Sequence, residues 1–304
     1  MATSPSSVRT DFDAIVIGGG PAGLQATLTL GRVHRRVLML DSGAYRNDPA
    51  HHMHNVVTHD GTPPAEFRTA ARTDLAAYDT VTVRDASATS VRQDGDGFAV
   101  DLDGEVVTAR GLVLATGVRD ALPDKPGLAA LFGGPVAHCP FCHGHEFAGQ
   151  HVAILGTGAA GHLPGILGPI ASRLTVLTDG EPLEHPVPDR VAVRAEPVTG
   201  VCASPTGARV SFADGPDEEV GGLYVTTTFS QAAPFAEQLG LRTLPSGCVE
   251  VDVMGRTSLP GVHAAGDMAH HPDLAMPMAS VMTAAASGQV AAASLVAMRL
   301  THAA

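Results

Sequence analysis

The chain of 304 residues has no basic run, no uninterrupted apolar stretch near the roughly 20 residues of a membrane span, and only four cysteines. The first lack, together with a net charge of −12, argues against nucleic acid and anionic membrane as partners. The second, with no hydrophobic segment of the secretory type in Met1–Thr10, leads to the expectation of a cytosolic protein. The scarcity of cysteine argues against a disulfide framework. In a reducing compartment Cys202 and Cys248 read as small buried hydrophobes. Charged residues are 16% and apolar residues 44%, the balance of a globular chain long enough for two domains.

The two remaining cysteines lie in His138-Cys139-Pro140-Phe141-Cys142-His143-Gly144-His145-Glu146. Thiols two residues apart can close a disulfide across one turn and reopen it with little backbone movement. Pro140 suits the first position of a short helix opened by Cys139, and His143 supplies a proton acceptor near neutral pH. Other readings compete. A c-type haem at Cys-x-x-Cys-His requires export, and a zinc site needs four ligands although no second Cys-x-x-Cys exists. A purely structural thiol pair is the third. The histidines of the Ser42–Gly61 loop, His51, His52, His54 and His59, have no thiolate or carboxylate at ligand spacing. They read as a solvated or pocket-lining loop, so no metal is expected.

The context favours redox chemistry. Asp13–Ile17 is an apolar strand running into Gly18-Gly19-Gly20-Pro21-Ala22-Gly23 and an Ala/Leu-rich helix, the turn that lets a backbone approach a pyrophosphate. A second strand, Arg36–Leu40, ends at Asp41, 41 − 23 = 18 residues past the last glycine and suited to a ribose hydroxyl. His151–Leu155 and Gly156-Thr157-Gly158-Ala159-Ala160-Gly161 repeat the pattern, with Asp179 again 179 − 161 = 18 residues on. Pro164 and Pro169 fall in the second crossover helix, and an interior proline costs about 3 kcal/mol. That unit is expected to fold without binding a nucleotide well. Val81–Arg84, Phe98–Leu102 and Glu105–Ala109 read as a small antiparallel meander, Gly111–Gly117 as a strand returning to the sheet, and Gly255–Pro260 as a linker before a final helix from about Ser280 to Arg299.

The glycine turns, Ala115-Thr116-Gly117, the cysteine motif and Ala264-Ala265-Gly266-Asp267, in this order, resemble the low-molecular-weight thioredoxin reductase family of flavoproteins. Cys-Pro-Phe-Cys-His-Gly, with Asp41-Ser42-Gly43 and Arg46-Asn47, resembles most the dithiol oxidases of the gliotoxin and holomycin type. The resemblance implies an α/β fold of two Rossmann-like, doubly wound, three-layer domains. A discontinuous FAD domain (1–120 and 246–304) would enclose a central domain (121–245) carrying the cysteines. It implies FAD held by Gly18, Gly20, Pro21, Ala22, Gly23, Asp41, Ser42, Arg46, Asn47, Ala115, Thr116, Gly117, Asp267 and Ser280. Cys142 would face the flavin, Cys139 would exchange with substrate, and His143 would shuttle protons with His145 as substitute. The reaction implied is closure of a disulfide in a small-molecule dithiol with oxygen as acceptor, by a homodimer in antibiotic biosynthesis. Two alternatives stand beside it, a nicotinamide-dependent disulfide reductase and a non-catalytic redox sensor.

Overall fold

The structure, a computed structural model, describes residues 11–300, so Met1–Thr10 lies outside the described residues. The chain forms two compact units.

The first unit opens with β1 (Phe12–Ile17), α1 (Pro21–Arg32) and β2 (Val37–Asp41). Ala14–Ile17 and all of β2 are buried, as strands of a parallel sheet covered on both faces must be. After α2 (Pro64–Leu75) come β3 (Val81–Asp85), β4 (Ser90–Asp94), β5 (Gly97–Asp101) and β6 (Val106–Leu114). All belong to one sheet of order β3-β2-β1-β6-β5-β4, in which β3 is parallel to β2 and only β4, β5 and β6 form an antiparallel meander. The strands expected at Glu105–Ala109 and Gly111–Gly117 are therefore one. Its first half pairs with β5, and its second half is buried beside β1, so the apolar pattern changes midway and imitates two strands.

Beyond β7 (Val118–Ala121) the second unit contains β8 (Val136–Ala137), α3 (Pro140–His143), β9 (His151–Leu155), α4 (Leu163–Leu167), β10 (Arg173–Leu177) and β11 (Ala192–Arg194). There follow β12 (Val198–Ser204), β13 (Gly207–Phe212), β14 (Glu218–Val220) and β15 (Gly222–Val225). A parallel sheet of order β11-β10-β9-β15-β8 has Phe147, Leu163 and Leu167 on one face and the antiparallel β12-β13-β14 sheet on the other.

The chain then runs through β16 (Thr228–Gln231), α5 (Phe235–Gln238), β17 (Val249–Glu250), β18 (Val262–Ala264), β19 (Ala269–His270) and α6 (Val281–Leu295). β18 lies parallel to the end of β6. The helical run Val281–Met298 has the length and composition of a membrane span, closer to one than the sequence reading allowed. Its Ala291, Ala292 and Leu295 are buried in the core shared with α1, and a Cβ at Gly288 would stand 2.1 Å from the Ala22 carbonyl.

The unit boundaries differ from those expected. The first unit comprises the chain through Arg46, Ala65–Arg119 and everything from Ser230 onward. Phe235, Ala236 and Leu241 join its core, and the Gln238 side chain accepts from the Val91 amide at 2.9 Å, so the return precedes residue 246. Gly255–Pro260 lies inside this unit and is no linker. The histidine loop goes the other way: Asn47–Pro64 packs with the second unit, the Pro49 carbonyl lying against Gly133.

Candidate cofactor and thiol sites

In the first unit the expected cofactor residues gather at the C-terminal ends of the parallel strands, where doubly wound sheets bind ligands. Gly18 has φ +121°, and a Cβ there would come within 2.2 Å of the Ala115 carbonyl, so glycine is required. Gly20 caps α1 with no side-chain hydrogen bond, Pro21 occupies the first turn, and the space beside Gly20 is open. Helix N–H groups thus face outward where a pyrophosphate would sit. A Cβ at Gly19 would overlap the Asp41 carboxylate, which therefore lies on the glycine turn itself.

Asp41 is buried and accepts from the Tyr45 hydroxyl at 2.7 Å, the Gly43 amide at 3.0 Å and Arg72. Burial alone would raise its pKa, but the Tyr45, Gly43 and Arg72 hydrogen bonds outweigh it, and the carboxyl stays below its usual range, ionised. Ser42 is exposed beside it. Nothing in the sequence marked Tyr45 and Arg72 as partners, since Arg72 reaches Asp41 from α2, 31 positions away.

Arg46 and Asp267 form an ion pair at 2.8 Å, joining two residues far apart in sequence that were expected at the same cofactor. Ala22 packs on Gly266, Gly23 leaves room for the Gly18 carbonyl, and Thr116 donates to the Met268 sulfur at 3.3 Å before Gly117 turns the chain. Asn47 opens the segment that packs with the second unit. Ser280 caps α6, its hydroxyl accepting from the Thr283 amide at 3.0 Å. An open helix N-terminus, a glycine turn and an ionised strand-end carboxylate fit FAD.

In the second unit Cys139 caps α3 with Pro140 at its first position, as the sequence implied, and both thiols are partly buried. The amides of Cys142 and His143 both donate to the Cys139 carbonyl at 3.2 Å, which sets the sulfurs one turn apart. His143 is partly buried, and its Nδ1 has no hydrogen-bond partner. Burial pushes its pKa down, Glu146 and the Gly133 backbone pull it up, and His54 pushes it down again. His145 and His138 are exposed, His138 stacking on Phe132 with ring centres 5.5 Å apart. From the histidine loop His54 reaches Glu146 at 3.4 Å, so one of the four loop histidines borders the cysteine motif, a proximity without any signature in local sequence. Among the described residues no group of three His, Cys, Asp or Glu side chains could hold a metal ion.

The second glycine turn departs from the first. Gly18 donates to the Leu40 carbonyl and Gly156 to that of Leu177, so the position of Asp41 is taken by Thr178 and not by Asp179. The equal intervals of 18 mislead because the helix is five residues long and begins only at Leu163, with loop in place of the turn that follows Gly20. Asp179 lies past the strand end at φ +59° and binds Lys125 at 2.7 Å and the Val198 amide at 2.7 Å. Thr157 occupies the place of Gly19 and donates to Glu184 at 3.3 Å, while the His185 ring lies against Gly161.

The model of the family described as pyridine nucleotide-disulphide oxidoreductase matches residues 12–178. Thioredoxin reductase sirT of Leptosphaeria maculans is 36% identical over 95% of this chain and 93% of its own length. An oxidoreductase from Agrobacterium tumefaciens has a TM-score of 0.84 at 31% identity, over 93% of this chain and 97% of its own. The structure of HlmI has a TM-score of 0.84 at 29% identity, over 94% and 92%. With the glycine turn on Asp41, the second Rossmann-like unit and these relatives, the chain is a thioredoxin reductase-like, FAD-binding member of the pyridine nucleotide-disulphide oxidoreductase family.

Proposed function

We propose that the protein is a dithiol oxidase that closes an intramolecular disulfide in a small natural-product dithiol and passes the electrons to oxygen as hydrogen peroxide. The observation that supports this direction is the second glycine turn, where Thr178 replaces the ribose carboxylate and Glu184 stands at Thr157. A cytosolic homodimer goes with this reading. The name of the sirT relative, a thioredoxin reductase, favours the second reading, a nicotinamide-dependent disulfide reductase.

Bound FAD supplies a two-electron acceptor that oxygen regenerates. The chain's own residues do the rest. A substrate thiolate attacks Cys139 of the Cys139–Cys142 disulfide, a mixed disulfide forms, and Cys142 leaves as thiolate. The second substrate thiol loses its proton to His143 and attacks its partner sulfur, giving the cyclic product and releasing Cys139. The electron pair held by Cys142 passes on as the enzyme disulfide re-forms. The test is turnover of a small dithiol in air: one peroxide per cyclic disulfide is expected, and disulfide formation without oxygen uptake overturns the reading.

His143 serves as base only when neutral. Burial holds its pKa below the ordinary 6.5, so it is neutral at pH 7. Flavin reduction by dithiol should slow as pH falls through that lowered pKa. In His143→Gln it should be about 10²- to 10⁴-fold slower at pH 7, with this acid limb gone and FAD retained. Anaerobic stopped-flow absorbance reads both, and an unchanged rate moves the role to His145.

A further inference from the structure

Asp41 and Asp85 are partners in register at the ends of β2 and β3, so two carboxylates come side by side and repel one another unless a cation lies between them. Arg72 is that cation. From α2 it donates to Asp41 and, at 2.7 Å, to Asp85. The Tyr45 hydroxyl donates to the same Oδ2 atom of Asp41 at 2.7 Å. The Tyr45 ring is held in turn by the Arg68 guanidinium, 3.7 Å from the ring centre and one turn before Arg72 on α2.

A strand-end turn residue needs no such support. The Gly43 amide reaches Oδ1 at 3.0 Å, so among the described residues three donors meet a carboxylate that has about four acceptor positions. One position is left, and 2% of the side chain stays exposed, a narrow opening suited to a single hydroxyl. The carboxylate lies against Gly19, next to the Gly20 cap of α1, where the dinucleotide must pass. Burial, then the Asp41 carboxylate, push the Tyr45 phenol up to about 12, so it remains a donor at neutral pH.

We propose that Tyr45 and Arg72 are positioning residues for the adenosine ribose of FAD, their two hydrogen bonds fixing the Asp41 carboxylate so that its remaining acceptor position meets a ribose hydroxyl. Arg72 supplies the charge: an ionised carboxylate accepts a hydroxyl more strongly than a protonated one, and the guanidinium keeps it ionised beside Asp85. Tyr45 supplies direction, because a phenol on a stacked ring cannot follow a rotating carboxylate. This role rests on Asp41 meeting the ribose and is independent of whether electrons come from a dithiol or a nicotinamide.

The experiment loads the wild-type, Tyr45→Phe and Arg72→Gln proteins with FAD or with an analogue whose adenosine lacks both ribose hydroxyls. Each is diluted, and release is followed as flavin fluorescence recovers. The wild type should release the analogue about ten-fold faster than FAD, the worth of a hydrogen bond to a charged acceptor. In both variants FAD should leave faster while the analogue keeps about its wild-type rate, so the ratio shrinks to about two-fold. Tyr45→Phe removes one hydroxyl and keeps the ring under Arg68, so it decides the matter where Arg72→Gln holds no flavin. A ratio in Tyr45→Phe as large as that of the wild type overturns the positioning role and leaves Asp41 at the ribose, even where both flavins leave faster, as a merely structural role would have it. Equal release of FAD and analogue from the wild type overturns the place of Asp41 at the ribose and this role together.

Discussion

The Cys139→Ser and Cys142→Ser enzymes should both lose dithiol turnover to background while keeping FAD, and they should differ in colour. Exchange requires two sulfurs, because the substrate's first thiol must attack one and displace the other as a stable thiolate, which a serine alkoxide is not. The two positions are one turn apart on the start of α3, so the disulfide opens and closes with little backbone movement, and neither serine should disturb the fold. If Cys142 is the flavin-facing thiol of the proposed reaction, its thiolate in Cys139→Ser should give a long-wavelength charge-transfer band that Cys142→Ser lacks. Visible spectra of the two reduced proteins check this, and the opposite pattern exchanges the two roles. Turnover that survives in both variants removes the pair from the reaction.

Neither NADPH nor NADH should reduce the flavin at a useful rate, whereas a small dithiol should bleach it under nitrogen and yield peroxide in air. A nicotinamide dinucleotide needs a phosphate-binding helix N-terminus, a ribose partner at the end of the second strand and, for NADPH, cations at the 2′-phosphate. Around the second glycine turn α4 starts late and Glu184 places a carboxylate at Thr157, where a pyrophosphate would be repelled. Thr178 stands where Asp41 stands in the first unit. Lys125 is bound to Asp179, and Arg194 to Glu196, Glu218 and the face of Phe212. Anaerobic mixing followed by flavin absorbance decides the matter, and rapid bleaching by either nicotinamide would establish the reductase instead.

Local pattern carried much of this protein. A strand, its glycine turn and the following helix are contiguous, so their hydrophobic periodicity and glycine spacing are written together, and both βαβ starts are found where those signals stand. The cysteine motif is equally local: Cys139 as cap and Pro140 in the first turn are set by adjacent residues. The meander was harder. β6 changes partners midway, and its change of burial imitated two strands.

By itself the sequence determined the two glycine-turn units, the thiol pair and the acidic character, because each depends on residues within a turn or a strand of one another. Only the tertiary structure decided that Asp179 is not the counterpart of Asp41, because counting intervals ignores a shortened helix, whereas interstrand hydrogen bonds fix the register. It also brought Arg46 to Asp267, His54 to Glu146 and Tyr224 to Ala137. Those pairs join residues about 80 to 220 positions apart, and only the packing of a completed sheet brings such residues within reach of one another.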